Sequence, residues 1–254
     1  MGPNQRFKNE LDTLIDQQLL PEDRESAWTA VWTYDRAVVL ETVRILEHAG
    51  PADWAHPTPC ADWDLRALVS HMAGQHRGFA AAAAGGGADL RLWQPLPLGD
   101  DPLGAYRATV ASVSGAFAQP GVAARQFDLP EISRSRRFPA VVAVGFHFLD
   151  YTVHAWDVAR AIGLDWEPGD DVAAAALAVA LRVPDDERRR APGAAFRPAR
   201  TSAEDGGPFD RVLAALGRSP AWTAGAAGAA GTDEPARTRR YPAAVPPEAA
   251  EWSP

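Results

Sequence analysis

Residues 147–163 read HFLDYTVHAWDVARAIG, and this stretch decides the fold. Its length and apolar neighbours predict a buried helix over about 139–162 that ends at Gly163. The same run carries two histidines, two aspartates and a tryptophan. Polar side chains on a buried helix need partners, because an unpaired polar group away from water is costly. The stretch therefore predicts a helical protein with a polar centre inside its core.

The two histidines and two aspartates of this stretch fall on one face of the predicted helix. They are spaced by three, four and three positions, and an α-helix turns ~100° per residue, so all four point in similar directions. Such a face can be a solvated surface, a closed hydrogen-bond network or a metal site. Apolar neighbours on both sides, such as Phe146, Leu149 and Trp156, argue against a solvated surface. The four residues are His147, Asp150, His154 and Asp157.

The metal interpretation assigns specific ligands. Asp150 and His154 stand four residues apart, so a carboxylate oxygen and an imidazole nitrogen can reach one cation. A third ligand must come from another helix, and we predict His71, which lies beside Leu68 and Met72 on an apolar stripe. Two imidazoles and one carboxylate leave coordination positions open, which is typical of catalytic sites. We predict zinc, with nickel, iron and manganese as alternatives.

Three further residues are candidates for a catalytic role near such a metal. His76 and His147 are possible extra ligands or bases, or simply packed core residues. Asp157 follows His154 by three positions and can accept a hydrogen bond from its imidazole, which would orient that ring.

The rest of the chain predicts an all-α protein with four long central helices. We find no strand pair and no internal repeat. Asp62 or Asp64, the pair Asp101–Pro102, and Asp170 or Asp171 are the predicted helix starts. The predicted helices cover about 5–20, 24–48, 64–82, 102–117, 139–162, 170–183 and 208–217.

Composition and charge exclude several classes of function. The 254 residues are 46% hydrophobic and 23% charged, which suits one large core. No apolar run is long enough to span a bilayer and the amino terminus has no apolar signal core, so we expect a cytoplasmic protein without a membrane partner. The net charge of -8 argues against nucleic acid binding. We expect a monomer or a homodimer.

Three segments resemble a known family. PTPCADWDLRALVSHMAG (57–74) and DYTVHAWDVARAIG (150–163) resemble the DinB-like metal-binding proteins. The similarity is to the branch that contains the N-terminal domain of mycothiol-dependent maleylpyruvate isomerases and single-domain actinobacterial relatives. DRVLAALGRSPAW (210–222) resembles the closing element of the single-domain members. The resemblance covers about residues 25–222.

The resemblance implies a DinB-like four-helix bundle, here with extra short helices at both ends. It also implies a divalent metal held by His71, Asp150 and His154, and mycothiol as a thiol cosubstrate. The isomerases differ from this chain in two ways, since they carry glutamate at the position of Asp150 and a second, C-terminal domain. We accordingly divide the chain into a helical extension, a metal-binding bundle and a disordered tail, at 1–22, 23–222 and 223–254.

Three hypotheses follow for function. The first is a metal-dependent enzyme that uses mycothiol on a small electrophilic substrate, by S-transfer, which we favour, or by isomerisation. The second is a non-catalytic metal-binding or sensing protein. The third is catalysis by Cys60, the single cysteine, which precedes a predicted helix start where a thiolate is favoured. The arginine-containing loop at 125–137 is either a binding site for a substrate carboxylate or a solvated segment.

Overall fold

The computed structural model describes residues 21–60, 63–191, 194–202, 206–224 and 239–240. The helix predicted at 5–20 lies outside these residues, as does most of the predicted tail. Pro21 begins the first described helix, at a position where its missing N–H has no partner to lose.

The described chain is mostly helical, which confirms the all-α prediction. Four long helices are followed by two shorter ones, and short 3₁₀ turns and two strand pairs fill the connections. The helices are α1 (Pro21–Leu46), α2 (Leu65–Ala83), α3 (Pro102–Phe117), α4 (Ala140–Ala161), α5 (Asp170–Ala180) and α6 (Pro208–Ala215).

Helix α4, which contains the stretch HFLDYTVHAW, forms the centre of the core. It packs mainly along α1, while α2 packs along α3 and α5 along α6. Almost all of its side chains are buried, including Phe148, Tyr151 and Trp156. Burying one large apolar side chain stabilises a fold by about 1.5–3 kcal/mol. A helix buried on every side brings its polar residues into the interior with it.

The helix starts agree with the sequence signals at two of three places. The Asp64 carboxylate accepts a hydrogen bond from Ala67 N at 2.7 Å, and Asp101 accepts one from Gly104 N at 2.9 Å. The prediction that Asp170 or Asp171 caps α5 is wrong. The capping position is Gly169, and both aspartates lie in the first turn, where their charge still suits the helix dipole.

Two pairs of short strands were not predicted. Strands β1 (Gln126–Asp128) and β2 (Arg137–Pro139) pair antiparallel, and β3 (Leu164–Asp165) pairs in parallel with β4 (Arg239–Arg240). The first pair buries one side chain per strand, Phe127 and Phe138, which is too little to give an alternating pattern. It turns the predicted arginine loop into a hairpin beside α4.

Within the described residues, no helix combines the length and the apolar character that crossing a membrane requires.

Candidate metal centre

The three predicted ligands come together between α2 and α4. One ligand atom each from His71, Asp150 and His154 lies within 4.8 Å of the other two. The Nε2 atom of His154 is 3.4 Å from Asp150 Oδ1, and the rings of His71 and His154 meet edge to face with centroids 5.7 Å apart. Two imidazoles and a carboxylate therefore converge at distances that one cation can bridge.

The centre is open on one side. The side chain of His154 is 5% exposed, whereas that of Asp150 is 26% exposed and His71 is half-buried. A cation held there would be shielded on the His154 side and reachable beside Asp150. This arrangement suits a site that receives a further ligand from solution.

The loop before α2 supports His71. The Trp63 ring lies against the His71 ring with centroids 4.6 Å apart. Thr58 ties the loop together, since its hydroxyl donates to Trp63 O and accepts from Cys60 N. In the described residues of this loop, 57–60 and 63–64, these contacts place Trp63 on one face of the His71 ring and leave Cys60 partly buried.

The two histidines differ in charge preference. Burial and the neighbouring His154 lower the pKa of His71 to about 4, so its nitrogen is free to bind a cation at neutral pH. Burial alone would lower the pKa of His154, but the Asp150 carboxylate and the hydrogen bond to Asp157 outweigh burial and raise it. The groups around His154 therefore favour a positive charge, which a bound cation supplies as well as a proton does.

Asp157 holds His154 from behind. Its Oδ2 atom lies 2.9 Å from His154 Nδ1, which leaves Nε2 directed at Asp150. Burial would raise the pKa of Asp157, but the Arg218 guanidinium, with a smaller contribution from His154, lowers it to about 2. Asp157 is thus an anion inside the core, at 3.0 Å from Arg218 Nη2.

Cys60 contacts the same buried group, which consists of His154, Asp157 and Arg218. Its thiol donates to Asp157 Oδ2 at 3.2 Å and accepts from Arg218 Nη2 at 2.9 Å. Cys60, His154 and Asp157 also lie close enough to form a metal-binding group, but the guanidinium in contact with two of them disfavours a second cation. Burial and Asp157 raise the pKa of the Cys60 thiol despite Arg218. A reactive thiolate is therefore not favoured here, in contrast to the prediction for a cysteine near a helix start.

His147 and His76 lie in a separate buried cluster. His147 Nδ1 is 2.5 Å from Asp35 Oδ1, and His76 Nδ1 is 3.0 Å from Thr109 Oγ1. Both rings pack against Tyr151, and both Nε2 atoms are buried without a hydrogen-bond partner among the described residues. His147 shares an angular face with Asp150, but it stands nearly one turn earlier along α4 and pairs with α1 instead. Of the three residues predicted to assist catalysis, Asp157 is the one that contacts a candidate ligand.

Two charged residues of these clusters were missed from the sequence, Asp35 and Arg218. Asp35 could have been found, since it occupies a core position in the α1 stripe that also contains Val31 and Val38. Arg218 gave no such signal, because one arginine after a short helix is indistinguishable from a surface residue until the fold is known.

One further carboxyl group is within electrostatic reach of Asp150. Gln75, one turn after His71 on α2, donates from Nε2 to Glu131 Oε2 at 2.9 Å. Glu131 comes from the hairpin between β1 and β2, and partial burial, with a smaller contribution from the charge of Asp150, raises the pKa of its carboxyl group. Two hairpin arginines have local contacts, since Arg137 pairs with Asp128 and Arg136 lies over the Phe138 ring.

Fold and site together define a helical bundle that carries a candidate metal centre on facing helices. Residues 36–159 match the family model described as "Mycothiol maleylpyruvate isomerase N-terminal domain". This match confirms the resemblance drawn from the sequence motifs, and the matched segment contains His71, Asp150 and His154.

Two relatives extend the similarity beyond this domain. Both are uncharacterized proteins of Mycobacterium tuberculosis, from two strains, and each is 29% identical to this chain over 188 residues. The alignments cover 72% of this chain and 91% of each relative. No solved structure matches the chain significantly.

Proposed function

We propose that this protein is a divalent-metal-dependent enzyme that joins a low-molecular-weight thiol, mycothiol, through its sulfur atom to a small electrophilic substrate. The observation that carries the proposal is the convergence of His71, Asp150 and His154 within 4.8 Å, with an open side beside Asp150. The description of the matching family supports mycothiol as the thiol, and the convergence of the three side chains supports a metal site.

The donor set fits a divalent cation. Two imidazole nitrogens and one carboxylate oxygen suit zinc, and they also accept nickel, iron or manganese. His71 has a pKa of about 4 and needs no deprotonation at neutral pH. The raised pKa of His154 reflects carboxylates that favour a positive charge in this space. A cation bound there would supply the charge that stabilises a thiolate over a thiol.

The chain's own residues prepare this chemistry. Asp157 fixes the tautomer of His154 by accepting from Nδ1, and the buried aromatic and aliphatic side chains of α4 keep water from its rear side. Glu131, which is held by Gln75 and feels the charge of Asp150, is our candidate for the base that takes up the thiol proton. In the transfer, the sulfur–carbon bond forms and the leaving group departs with the electron pair of the bond that breaks.

A titration of metal and thiol tests this proposal. The metal-free protein is loaded with zinc, and mycothiol binding is measured by calorimetry before and after loading, followed by assays with a panel of epoxides and alkyl halides. We expect thiol binding only in the loaded protein, and thioether formation with at least one electrophile. Asp150→Asn should lose both activities, whereas His48→Ala, which changes an exposed histidine away from the centre, should keep them.

The outcome also decides between enzyme and passive binder. Zinc binding without any metal-dependent thiol binding would show a non-catalytic metal-binding or sensing protein. Thiol binding and turnover that persist after metal removal would refute the metal-dependent mechanism.

A further inference from the structure

Arg218 lies outside the segment that matches the family model, yet its guanidinium reaches the buried side of the candidate metal centre. Its Nη2 atom is 3.0 Å from Asp157 Oδ2, and the same oxygen lies 2.9 Å from His154 Nδ1. We propose that Arg218 is a positioning residue, which fixes the metal-binding ring of His154 through Asp157. The inference rests on the metal centre of the proposed function.

The three groups form one chain of contacts that is almost completely shielded from solvent. The side chains of Arg218, Asp157 and His154 are 5%, 0% and 5% exposed. Away from water, each charge depends on its partners, so removing one member leaves the next without compensation. A carboxylate that orients a metal-binding histidine typically needs such a partner itself.

Asp157 is held through a single oxygen. Oδ2 accepts hydrogen bonds from His154, Arg218 and the Cys60 thiol. Oδ1 is buried and has no hydrogen-bond partner in the described parts of the chain. Two of these three partners can carry a positive charge, Arg218 and His154. Of the two, Arg218 is the one that is not a candidate metal ligand. Without Arg218, the carboxylate would lose its fixed orientation, and the ring of His154 would lose it as well.

A tight turn after α6 positions Arg218. Helix α6 ends before Gly217, whose φ of +79° is a conformation that favours glycine, and an added Cβ there would lie 2.6 Å from Arg197 Cβ. After this turn, Arg218 N donates to Leu213 O at 2.8 Å, and the guanidinium passes 5.9 Å from the centroid of the Phe196 ring. The turn at Gly217 therefore places the Arg218 guanidinium next to Asp157.

A purely structural role is the competing explanation, and the chain offers a matched control. Arg189, in the short 3₁₀ turn Glu187–Arg190 before α6, is also a buried arginine, but it donates hydrogen bonds to the backbone carbonyls of Pro184, Val183 and Ala215. If buried arginines matter here only for folding, changes at Arg189 and Arg218 should have the same effect on metal affinity.

The experiment measures zinc affinity by competition with a chromophoric chelator for the wild type, Arg218→Met, Arg218→Lys and Arg189→Met. We expect Arg218→Met to weaken zinc binding by about 10–100-fold, the usual loss when a partner of a metal ligand is removed. Arg218→Lys should keep the charge but lose part of the affinity, because an ammonium group lacks the planar fork. Arg189→Met should bind zinc like the wild type, even where its melting temperature falls.

A second readout reports orientation directly. In the zinc-loaded protein, nuclear magnetic resonance should show a slowly exchanging Nδ1–H proton for His154, and its exchange should become faster in both Arg218 variants but not in Arg189→Met. Arg218→Lys preserves the buried charge pair, so it keeps the test valid if Arg218→Met does not fold.

Unchanged zinc affinity and unchanged proton exchange in the Arg218 variants would overturn the positioning role while leaving the metal centre intact. A wild-type protein that binds no zinc, nickel, iron or manganese would overturn the metal centre and the positioning role together.

Discussion

The Nδ1 atom of His154 lies 2.9 Å from Oδ2 of Asp157, one helical turn further along α4, and both side chains are buried. This relationship gives the imidazole a fixed tautomer and leaves its Nε2 atom to face Asp150. We therefore expect a small change in the Asp157 side chain to alter the affinity of the centre for a metal.

Asp157→Asn should weaken zinc binding by about 10–100-fold, because a neutral amide is a poorer acceptor for the imidazole N–H than a carboxylate. The measurement is a chelator competition on the folded protein. Asp165→Asn is the control, since Asp165 is half exposed and pairs with Arg160 away from the ligands. Equal affinities for Asp157→Asn and the wild type would show that this hydrogen bond does not orient His154.

Zinc binding should release a proton. The pKa of His71 is about 4, so this ring is already neutral at pH 7, whereas the raised pKa of His154 keeps its ring protonated in the metal-free protein. Because the cation must displace this proton, affinity should rise as pH increases until the pH passes the raised pKa of His154. Calorimetry in buffers of different ionisation enthalpy measures the release. A pH-independent affinity between pH 6 and 8 would contradict the assignment of His154 as a ligand.

Acid should destabilise the metal-free fold through His76. Burial and His147 hold the pKa of His76 well below its ordinary value of ~6.5, so the folded state binds fewer protons than the unfolded state once the pH falls below that value. The loss of stability should start near pH 6.5 and continue until the pH reaches the folded-state pKa.

His76→Phe keeps a ring of similar shape and removes this titration, so its unfolding free energy should fall less steeply between pH 7 and 5. The slopes of unfolding free energy against pH should differ by an amount that corresponds to up to about one bound proton. Denaturant unfolding at several pH values, with a chelator present, gives the comparison. Parallel slopes for the two proteins would rule out His76 as a source of the acid sensitivity.

Glu131→Gln should separate turnover from metal binding. The Glu131 carboxyl group is held by Gln75 and feels the charge of Asp150, but Glu131 is not one of the three candidate ligands. A base at this position typically contributes about 100-fold or more to the rate, so kcat should fall by that order while zinc affinity stays the same. Glu187→Gln, an exposed residue paired with Arg190, serves as the control. Wild-type turnover in Glu131→Gln would remove Glu131 from the mechanism.

Local patterns predicted the parts of the site that depend on one helix at a time. The spacing of Asp150, His154 and Asp157 fixed their shared face, and Asp64 identified the start of α2. His71 followed from its place on an apolar stripe. Each of these inferences needs only helix geometry, which is the same in every protein.

Contacts between distant segments were not predictable in this way. His147 lies on the same face as Asp150, but only the packing of α1 against α4 shows that Asp35 is its partner. Arg218 reaches Asp157 across 61 positions of sequence. The hairpin at β1 and β2 is stabilised by two buried phenylalanines, and so small an apolar pattern is hidden in a loop-like sequence.

The number of zinc ions bound per chain by the wild type and by His71→Ala tests the central claim most directly. The claim predicts about one equivalent of tightly bound zinc in the wild type and in His48→Ala, and a loss of affinity of at least 100-fold in His71→Ala, since a three-ligand site loses one donor. A folded His71→Ala protein that retains full zinc content and wild-type affinity would contradict the assignment of the metal centre to His71, Asp150 and His154.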